Sequence, residues 1–207
     1  MNSSNALMIF AKLPRAGEVK TRLGATMGMG RAGEIYAEFA RHAFALGRNV
    51  QENGAAVYLM YDPASNEENV RQWVNQAFRF HVQTGKDLGE RMRNAMALAF
   101  RDGFSRSVII GTDVPELDAG TVADSFNLLE TVPVVLGPSK DGGYYLLGMH
   151  VPMNDLFEGI PWSTGRVLDE TTRKLKRLGV QYRLLQELAD IDTEDDYREL
   201  MRRRTRE

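Results

Sequence analysis

The sequence predicts an α/β fold, a Rossmann-like three-layer α/β/α sandwich of the nucleotide-binding kind with a mostly parallel central sheet. Short apolar runs alternate with longer segments of helical periodicity almost from one end of the chain to the other. This alternation is typical of parallel strands joined by crossover helices that cover both faces of a sheet. The 207 residues contain no internal repeat, linker or low-complexity segment, so we expect one domain spanning residues 1–207.

The first half of the chain opens with a buried apolar strand at residues 7–10. A long helix follows, with apolar residues at three- and four-residue steps, and it ends at Asn53-Gly54. Residues 28–33 match Gly-x-Gly-x-x-Gly but begin 18 residues after Phe10, so a helix-entry turn is expected and not a dinucleotide-binding loop. The other elements of this half are strands at 56–61 and 78–82 and helices at 67–77 and 88–102.

The second half continues the alternation. Its clearest strand is 108–110, which is short, β-branched and ended by Gly111. The pattern then predicts helices at 119–130, 164–178 and 194–203 and strands at 132–136, 144–148 and 180–185. Because ligands of open parallel sheets bind outside the carboxyl ends of the strands, the polar loops after the strands are the places to search for a site.

The composition excludes several functions. The chain has no cysteine, which excludes disulfides, thiolate metal sites and a cysteine nucleophile. Lys plus Arg number 26 against 28 for Asp plus Glu, which argues against binding along nucleic acid or an anionic membrane. No apolar run reaches membrane-spanning length and the first residues do not resemble a signal peptide, so a cytoplasmic protein is expected.

The loop after the first strand concentrates positive charge. Four cations fall within eleven residues, around a glycine that shapes the backbone: Lys12, Arg15, Lys20 and Arg22, with Gly17 between them. Cations and free backbone N–H groups at a strand-to-helix junction suit a polyphosphate, although a solvated loop is an equally good interpretation of the charges alone. The loop is not a Walker A sequence.

Two further loops carry candidate binding residues. In the loop after the third strand, Gln83 stands where an amide can pair with a nucleobase edge. Asp87 and Glu90 are explained as a capping box, whereas Gln83 and Arg91 stay open as candidate nucleotide-binding residues. Asp113 directly follows the buried strand 108–110. A carboxylate there suits Mg²⁺, and an Asx turn is the structural alternative.

The last two loops add carboxylates. Asp141 stands before Gly142 and Gly143, which allow a ligand to approach the backbone but equally suit a hairpin turn. The segment 190–196 is not a calcium loop, since it lacks the required glycine. Thr193 and Asp196 read instead as a helix cap, which leaves Asp190 and Asp192 free to face the site.

Taken in order, these loops resemble a known family. The motifs are Phe10-Ala-Lys-x-Pro-x-x-Gly-x-Val-Lys-Thr-Arg-Leu23, Gln83-x-Gly-x-Asp-Leu-Gly-x-Arg-Met92, Gly111-Thr-Asp-x-Pro115, Gly137-Pro-x-x-Asp-Gly-Gly-Tyr-Tyr-Leu146, Ile160-x-Trp-Ser-Thr-x-x-Val167 and Asp190-Ile-Asp-Thr-x-x-Asp196. They resemble a bacterial branch of the GT-A-type nucleotide-diphospho-sugar transferase superfamily, labelled a domain of unknown function and called arsenosugar-biosynthesis-type glycosyltransferases. The first loop is similar to that of 2-phospho-lactate guanylyltransferases.

The resemblance implies a divalent metal, Mg²⁺ or Mn²⁺, bound by Asp113 and by an aspartate before the final helix. Asp192 matches that second position best and Asp190 next. It also implies a nucleotide-phosphate donor, either a nucleotide sugar or a nucleoside triphosphate, and a small-molecule acceptor. Gly-x-Gly-x-Arg, the first-loop signature of better-known nucleotidyltransferases, is absent, as is the Asp-x-Asp of classical sugar transferases.

The expected function is therefore a metal-dependent glycosyl or nucleotidyl transfer, and the alternative is a catalytically silent nucleotide-binding or regulatory protein. The expected catalytic residues are Asp113, Asp141 and Lys20. The expected nucleotide-binding residues are Lys12, Arg15, Gly17, Lys20, Arg22, Gln83 and Arg91. The expected acceptor pocket consists of Gly142, Gly143, Tyr144 and Trp162. No membrane span and no nucleic-acid partner are expected.

Overall fold

The computed structural model describes residues 4–205, and within them seven strands form one sheet. Its order is β3-β2-β1-β4-β6-β5-β7, and every neighbouring pair is parallel except those that include β6, which runs against both β4 and β5. The strands are β1 (Asn5–Ala11), β2 (Ala56–Tyr61), β3 (Arg79–Val82), β4 (Arg106–Ile110), β5 (Val134–Pro138), β6 (Tyr144–Met149) and β7 (Tyr182–Leu184). The predicted α/β class with a mostly parallel sheet is confirmed.

The helices follow the predicted alternation with shifted ends. They are α1 (Thr21–Met27), α2 (Met29–Glu52), α3 (Glu67–Val74), α4 (Leu88–Arg101), α5 (Ala119–Leu128), α6 (Val167–Arg177) and α7 (Glu194–Arg204). The segment before residue 53 holds two helices and not one, since Gly28 adopts φ +88° between them. A short 3₁₀ turn at Asn154–Phe157 is not evident in the sequence pattern.

The core is divided between the two faces of the sheet. Along β1, Leu7 and Ile9 are buried against one helical layer, while Ala6 and Met8 are buried against the other. This is the alternation that a strand covered on both faces requires. Helices α2, α3 and α5 pack in the first layer, and α4 and α6 pack in the second. Among residues 4–205, no helix combines the length and the apolar character needed to cross a bilayer.

A third, smaller cluster ties the end of the chain to its beginning. Ile191 is fully buried with Leu23 of α1, Ile35 of α2 and Leu200 of α7. Packing at Ile191 therefore fixes the residues beside it, Asp190 and Asp192, against the first loop.

The hairpin interpretation of the segment between β5 and β6 is correct, since these two strands pair antiparallel. Asp141 Oδ1 accepts hydrogen bonds from the Ser139 hydroxyl at 2.6 Å and the Gly143 N–H at 2.8 Å, which is an Asx turn. Gly142 has φ +85°, and a Cβ there would lie 2.1 Å from the Gly165 carbonyl oxygen, so only glycine fits this turn.

Candidate active site

A cavity of about 640 Å³ opens at the carboxyl ends of β1, β3 and β4. Its walls include the loops after β1, β3 and β4 and the segment before α7. The cationic side chains in its lining are Lys12, Lys20, Arg22, Lys86 and Arg91, and the acidic ones are Glu18, Asp87, Asp113 and Asp192. This is the edge of the sheet where open α/β folds bind their ligands.

At the centre of the site, the Lys20 ammonium bridges two carboxylates. Lys20 Nζ lies 2.7 Å from Asp113 Oδ1 and 2.9 Å from Asp192 Oδ1, although these residues are far apart in the sequence. Arg22 pairs with the other oxygen of Asp192. The side chain of Lys20 is only 3% exposed, whereas that of Arg22 is 69% exposed. One ammonium thus lies buried where two carboxylates converge.

The two carboxylates keep Lys20 charged. Burial lowers the pKa of the Lys20 ammonium, but the charges of Asp113 and Asp192, with their hydrogen bonds, outweigh it and raise that pKa above its ordinary value. Asp190 lies beside this group, half-buried, and burial together with the charges of Asp141 and Asp192 raises the pKa of its carboxyl.

The backbone holds Asp113 and Asp192 in position independently of Lys20. The Ile191 N–H donates to the Asp113 carbonyl oxygen at 3.2 Å, which joins the loop after β4 to the segment before α7. Thr193 caps the N-terminus of α7 as predicted and forms a capping box with Asp196, and the Asp192 N–H also donates to Asp196 Oδ2. The carboxylate pair is therefore preorganised by the fold.

Tyr36 of α2 connects the loop after β1 to the loop after β4, a role that the sequence pattern did not reveal. Its hydroxyl accepts the Lys12 N–H at 2.8 Å and lies 3.3 Å from the Thr112 hydroxyl, which donates to it. Burial raises the pKa of Tyr36 to about 12, so the phenol stays neutral at ordinary pH. An aromatic residue on a helical apolar face reads as core in the sequence, which is why it was missed.

The far wall of the cavity carries Arg91 and Gln83. Arg91 lies 3.5 Å from Asp62 Oδ2, and the Lys12 ammonium approaches the same oxygen at 4.0 Å. The Gln83 amide donates to the Met60 carbonyl oxygen at 2.8 Å and is only 5% exposed. Gln83 thus supports the wall of the cavity through internal bonds to Met60 and Arg91, and its pairing with a nucleobase stays a prediction.

A second cavity of about 400 Å³ shares Arg22, Asp113 and Asp192 with the first. Its other carboxylates are Asp141 and Asp190, and Trp162 forms an apolar wall. The Trp162 ring stacks on Phe157 with centroids 6.4 Å apart and meets Tyr144 edge-on at 6.5 Å. The indole presses on α4, since a Cβ at Gly89 would lie 2.1 Å from Trp162 Nε1.

Most of the sequence-predicted residues converge on these two cavities. The first is lined by Lys12, Lys20, Arg22, Gln83, Arg91, Asp113 and Asp192, and the second by Asp141, Gly143, Tyr144, Trp162 and both aspartates before α7. Arg15, Gly17 and Gly142 lie outside both linings, and Arg15 pairs with Glu18 at 3.5 Å. Lys86 was overlooked, although it stands in the same loop as Gln83.

Asp113 and Asp192 fit a divalent cation that also binds substrate phosphates. Within residues 4–205, no group of three or more His, Asp or Glu side chains is close enough to hold a metal alone. Both carboxylates nevertheless contact one cation, the Lys20 ammonium, so their oxygens already converge on a single positive charge. Mg²⁺ commonly takes one or two protein carboxylates and completes its shell with phosphates and water.

A family model described as "Uncharacterized protein conserved in bacteria (DUF2064)" matches residues 45–164, more than half of the chain. The chain belongs to this family. No protein of curated function matches the DUF2064 chain significantly. A solved structure from Desulfovibrio desulfuricans G20, assigned provisionally as a nucleotide-diphospho-sugar transferase, is 34% identical over 97% of this chain and 87% of that chain, with a TM-score of 0.92.

More distant solved structures share the fold of this DUF2064 protein. Rv0371c from Mycobacterium tuberculosis H37Rv in complex with manganese is 17% identical over 96% of this chain and 97% of that chain, with a TM-score of 0.53. A CMP:2-keto-3-deoxy-manno-octonic acid synthetase complexed with CTP is 13% identical over 98% of this chain and 100% of that chain, with a TM-score of 0.57. These two structures show the fold alone, whereas the 34% identical structure from Desulfovibrio desulfuricans G20 confirms the predicted superfamily and the class of transferases.

Proposed function

We propose that this DUF2064 protein is a metal-dependent transferase that moves a group from a nucleotide-phosphate donor to a small-molecule acceptor. One observation carries the proposal: two carboxylates from distant segments, Asp113 and Asp192, converge on a single cation at the border between a cation-lined cavity and an aspartate-lined one. Such an arrangement suits transfer at a phosphate, where positioning and charge neutralisation do most of the work.

The larger cavity is assigned to the donor. Lys12, Lys86, Arg22 and Arg91 are spread around its walls, so they can meet several phosphate oxygens at once. This number of cations suits a triphosphate tail better than a neutral sugar, and nucleotidyl transfer is therefore preferred over glycosyl transfer. A distant structure of the same fold, the CMP:2-keto-3-deoxy-manno-octonic acid synthetase, is complexed with CTP, which supports a nucleotide as the donor.

Asp113 and Asp192 would hold Mg²⁺ or Mn²⁺ together with the donor phosphates. When bound, the ion would supply charge neutralisation and orientation of the phosphates. The complex of Rv0371c with manganese supports a divalent metal in this fold. Lys20 and Arg22, which pair with these aspartates here, are within reach of the same phosphates.

The smaller cavity is assigned to the acceptor. Trp162 and Tyr144 offer it flat apolar surface, and Asp141 keeps one carboxylate oxygen free of the Asx turn, since Ser139 and Gly143 both donate to the other. That free oxygen is placed to orient an acceptor hydroxyl or to take its proton.

A thermal-shift screen of nucleoside triphosphates against nucleotide sugars, with Mg²⁺ and with Mn²⁺, tests the function. A donor at 100 times its dissociation constant is expected to stabilise the fold by roughly 2.7 kcal/mol. Selective stabilisation by one nucleotide sugar would replace nucleotidyl transfer with glycosyl transfer. Binding of a nucleotide without any turnover over a broad acceptor panel would favour the catalytically silent alternative, and no shift with any nucleotide would overturn the proposal.

The double variant Lys20→Met/Arg22→Met identifies the binding cavity. It is expected to lose most of the ligand-induced shift, because two of the five cations that line the donor cavity are gone. The melting temperature without ligand should also fall, since Asp113 and Asp192 lose their partners at a cost of about 1–3 kcal/mol. The double variant Lys176→Met/Arg177→Met, on the exposed face of α6, makes the same charge change and should keep the full ligand-induced shift.

A further inference from the structure

We propose that Lys20 is a built-in counterion that occupies the metal position until a nucleotide arrives, so that divalent metal and nucleotide bind cooperatively. This inference rests on the proposed function and adds to it the order in which metal and nucleotide bind. The protein alone binds the metal weakly, because an ammonium already lies between the two carboxylates. The nucleotide phosphates then give that ammonium a new partner.

The geometry of the ion pair is the first support. Lys20 Nζ contacts one oxygen of each aspartate at 2.7 and 2.9 Å, so the ammonium occupies the point where Asp113 and Asp192 converge. A metal ion bound by these two oxygens would occupy the same point as the ammonium. The two cannot be there together, because two cations would then be in contact. Binding of the metal therefore requires Lys20 to leave.

The independence of the carboxylates from Lys20 is the second support. The bond from Ile191 N to the Asp113 carbonyl oxygen and the capping box at Thr193 hold the pair in place through the backbone. Removal of the ammonium therefore leaves a preformed dianionic site. Its remaining cation is Arg22, whose mostly exposed side chain pairs with Asp192 alone.

The position of Lys20 on the loop is the third support. Lys20 adopts the left-handed conformation, with φ 47°, at the residue directly before α1. A left-handed backbone is unfavourable for lysine, so the contacts of its side chain offset a local strain. When those contacts are lost to a metal, the strain is no longer offset, which favours a change of conformation at Lys20 that turns its side chain towards the phosphates in the larger cavity.

Binding of Mn²⁺ without nucleotide tests the inference directly, by electron paramagnetic resonance of the free ion at constant ionic strength. The variant Lys20→Met keeps the length of the side chain and removes the charge. We expect it to bind Mn²⁺ at least about tenfold more tightly than the wild type, in the range usual for coupled sites. The matched control Lys12→Met removes a cation from the same cavity whose ammonium faces Asp62, and its Mn²⁺ affinity should equal that of the wild type.

The cooperativity supplies a second readout. In the wild type, a nucleoside triphosphate should strengthen Mn²⁺ binding, and Mn²⁺ should strengthen nucleotide binding by the same factor. That factor should shrink in Lys20→Met. Equal Mn²⁺ affinity of the wild type and Lys20→Met without nucleotide would overturn the inference, whereas the proposed function would stand as long as the wild type binds nucleotide in the thermal-shift screen.

A measurement on the wild type covers the case in which Lys20→Met does not fold. The buried ammonium should give a slowly exchanging ¹H–¹⁵N signal in nuclear magnetic resonance spectra, assigned by its loss in Lys20→Arg. Addition of Mg²⁺ with a nucleoside triphosphate should shift or broaden this signal, because the ammonium changes partners. A signal that stays unchanged under saturating Mg²⁺ and nucleotide would contradict the displacement of Lys20.

Discussion

The two cavities of the site share a wall but differ in charge and shape. The larger, of about 640 Å³, has cations distributed around it, including Lys12, Lys86 and Arg91. The smaller, of about 400 Å³, holds Asp141 and Asp190 in addition to the shared aspartates, and its lining contains a single cation, Arg22. Both linings contain four carboxylates, so the two cavities differ in their cations, of which the larger has five and the smaller one.

The difference indicates which substrate enters which side. An anionic phosphate chain is favoured in the larger cavity and opposed in the smaller one by electrostatics alone. The shared wall of Asp113 and Asp192 is then the place where donor and acceptor meet. Variants on either side of that wall should change one substrate's binding and leave the other's intact.

The largest effect is expected from the shared wall itself. The substitution Asp113→Asn removes one of the two charges that converge on the cation, so turnover should fall by about 10²- to 10³-fold, and metal-dependent binding of the donor should weaken. Steady-state kinetics with the donor found in the screen, and titration calorimetry with and without Mg²⁺, would measure both effects. Asp124→Asn, on the exposed face of α5, is the matched control and should behave as the wild type. Metal-dependent donor binding that survives in Asp113→Asn would contradict the metal role of this carboxylate.

A smaller effect should be confined to the donor side. Arg91→Gln removes a cation from the larger cavity, and the donor dissociation constant should rise roughly tenfold, the value of one charged hydrogen bond. The KM of the acceptor should not change. Arg93→Gln, two residues further along α4 and in neither lining, is the control. If both variants weakened donor binding equally, the effect would be one of overall charge and not of this cavity.

The acceptor side is perturbed through Gly89. A methyl group at this position would lie 2.1 Å from Trp162 Nε1, so Gly89→Ala should push the indole into the smaller cavity. The KM of the acceptor should rise by roughly three- to tenfold, an effect of about 1 kcal/mol, while the donor dissociation constant stays within twofold. Gly30→Ala in α2, where a methyl group meets open space, should change neither constant. An unchanged acceptor KM in Gly89→Ala would remove Trp162 from the acceptor pocket.

The sequence predicted the order of the elements because the apolar runs of the strands and the helical periodicity are local signals. It also located the site, since Asp113 and the cations of the first loop follow strands whose carboxyl ends share one edge of the sheet. The capping box at Thr193 and Asp196 was likewise predictable from residue spacing.

The features that the sequence did not reveal depend on contacts between distant segments. No local pattern indicates that Lys20 lies between Asp113 and Asp192, or that the Tyr36 hydroxyl reaches the first loop from α2. The prediction for Arg15 followed charge alone, and the Arg15 side chain pairs with Glu18 without itself lining the cavity. The helix-entry turn expected at residues 28–33 is present at Gly28, and the short α1 before it was not distinguished from the long helix.

The smallest effect is expected from Tyr36, which lines the donor side and holds the first loop there through the Lys12 N–H. Tyr36→Phe leaves the Lys12 N–H and the Thr112 hydroxyl without their acceptor, so the free energy of unfolding near pH 8 should fall by about 1 kcal/mol. Burial raises the pKa of Tyr36 to about 12, above the value of about 10 in the unfolded chain. The stability contributed by the neutral phenol is therefore complete below about pH 10 and is lost as the pH rises towards 12. Urea unfolding at about pH 8, 10 and 11 should show that the difference in unfolding free energy between wild type and Tyr36→Phe shrinks as the pH rises. A difference that stays constant over this range would mean that the phenol is more solvated than it is in the structure.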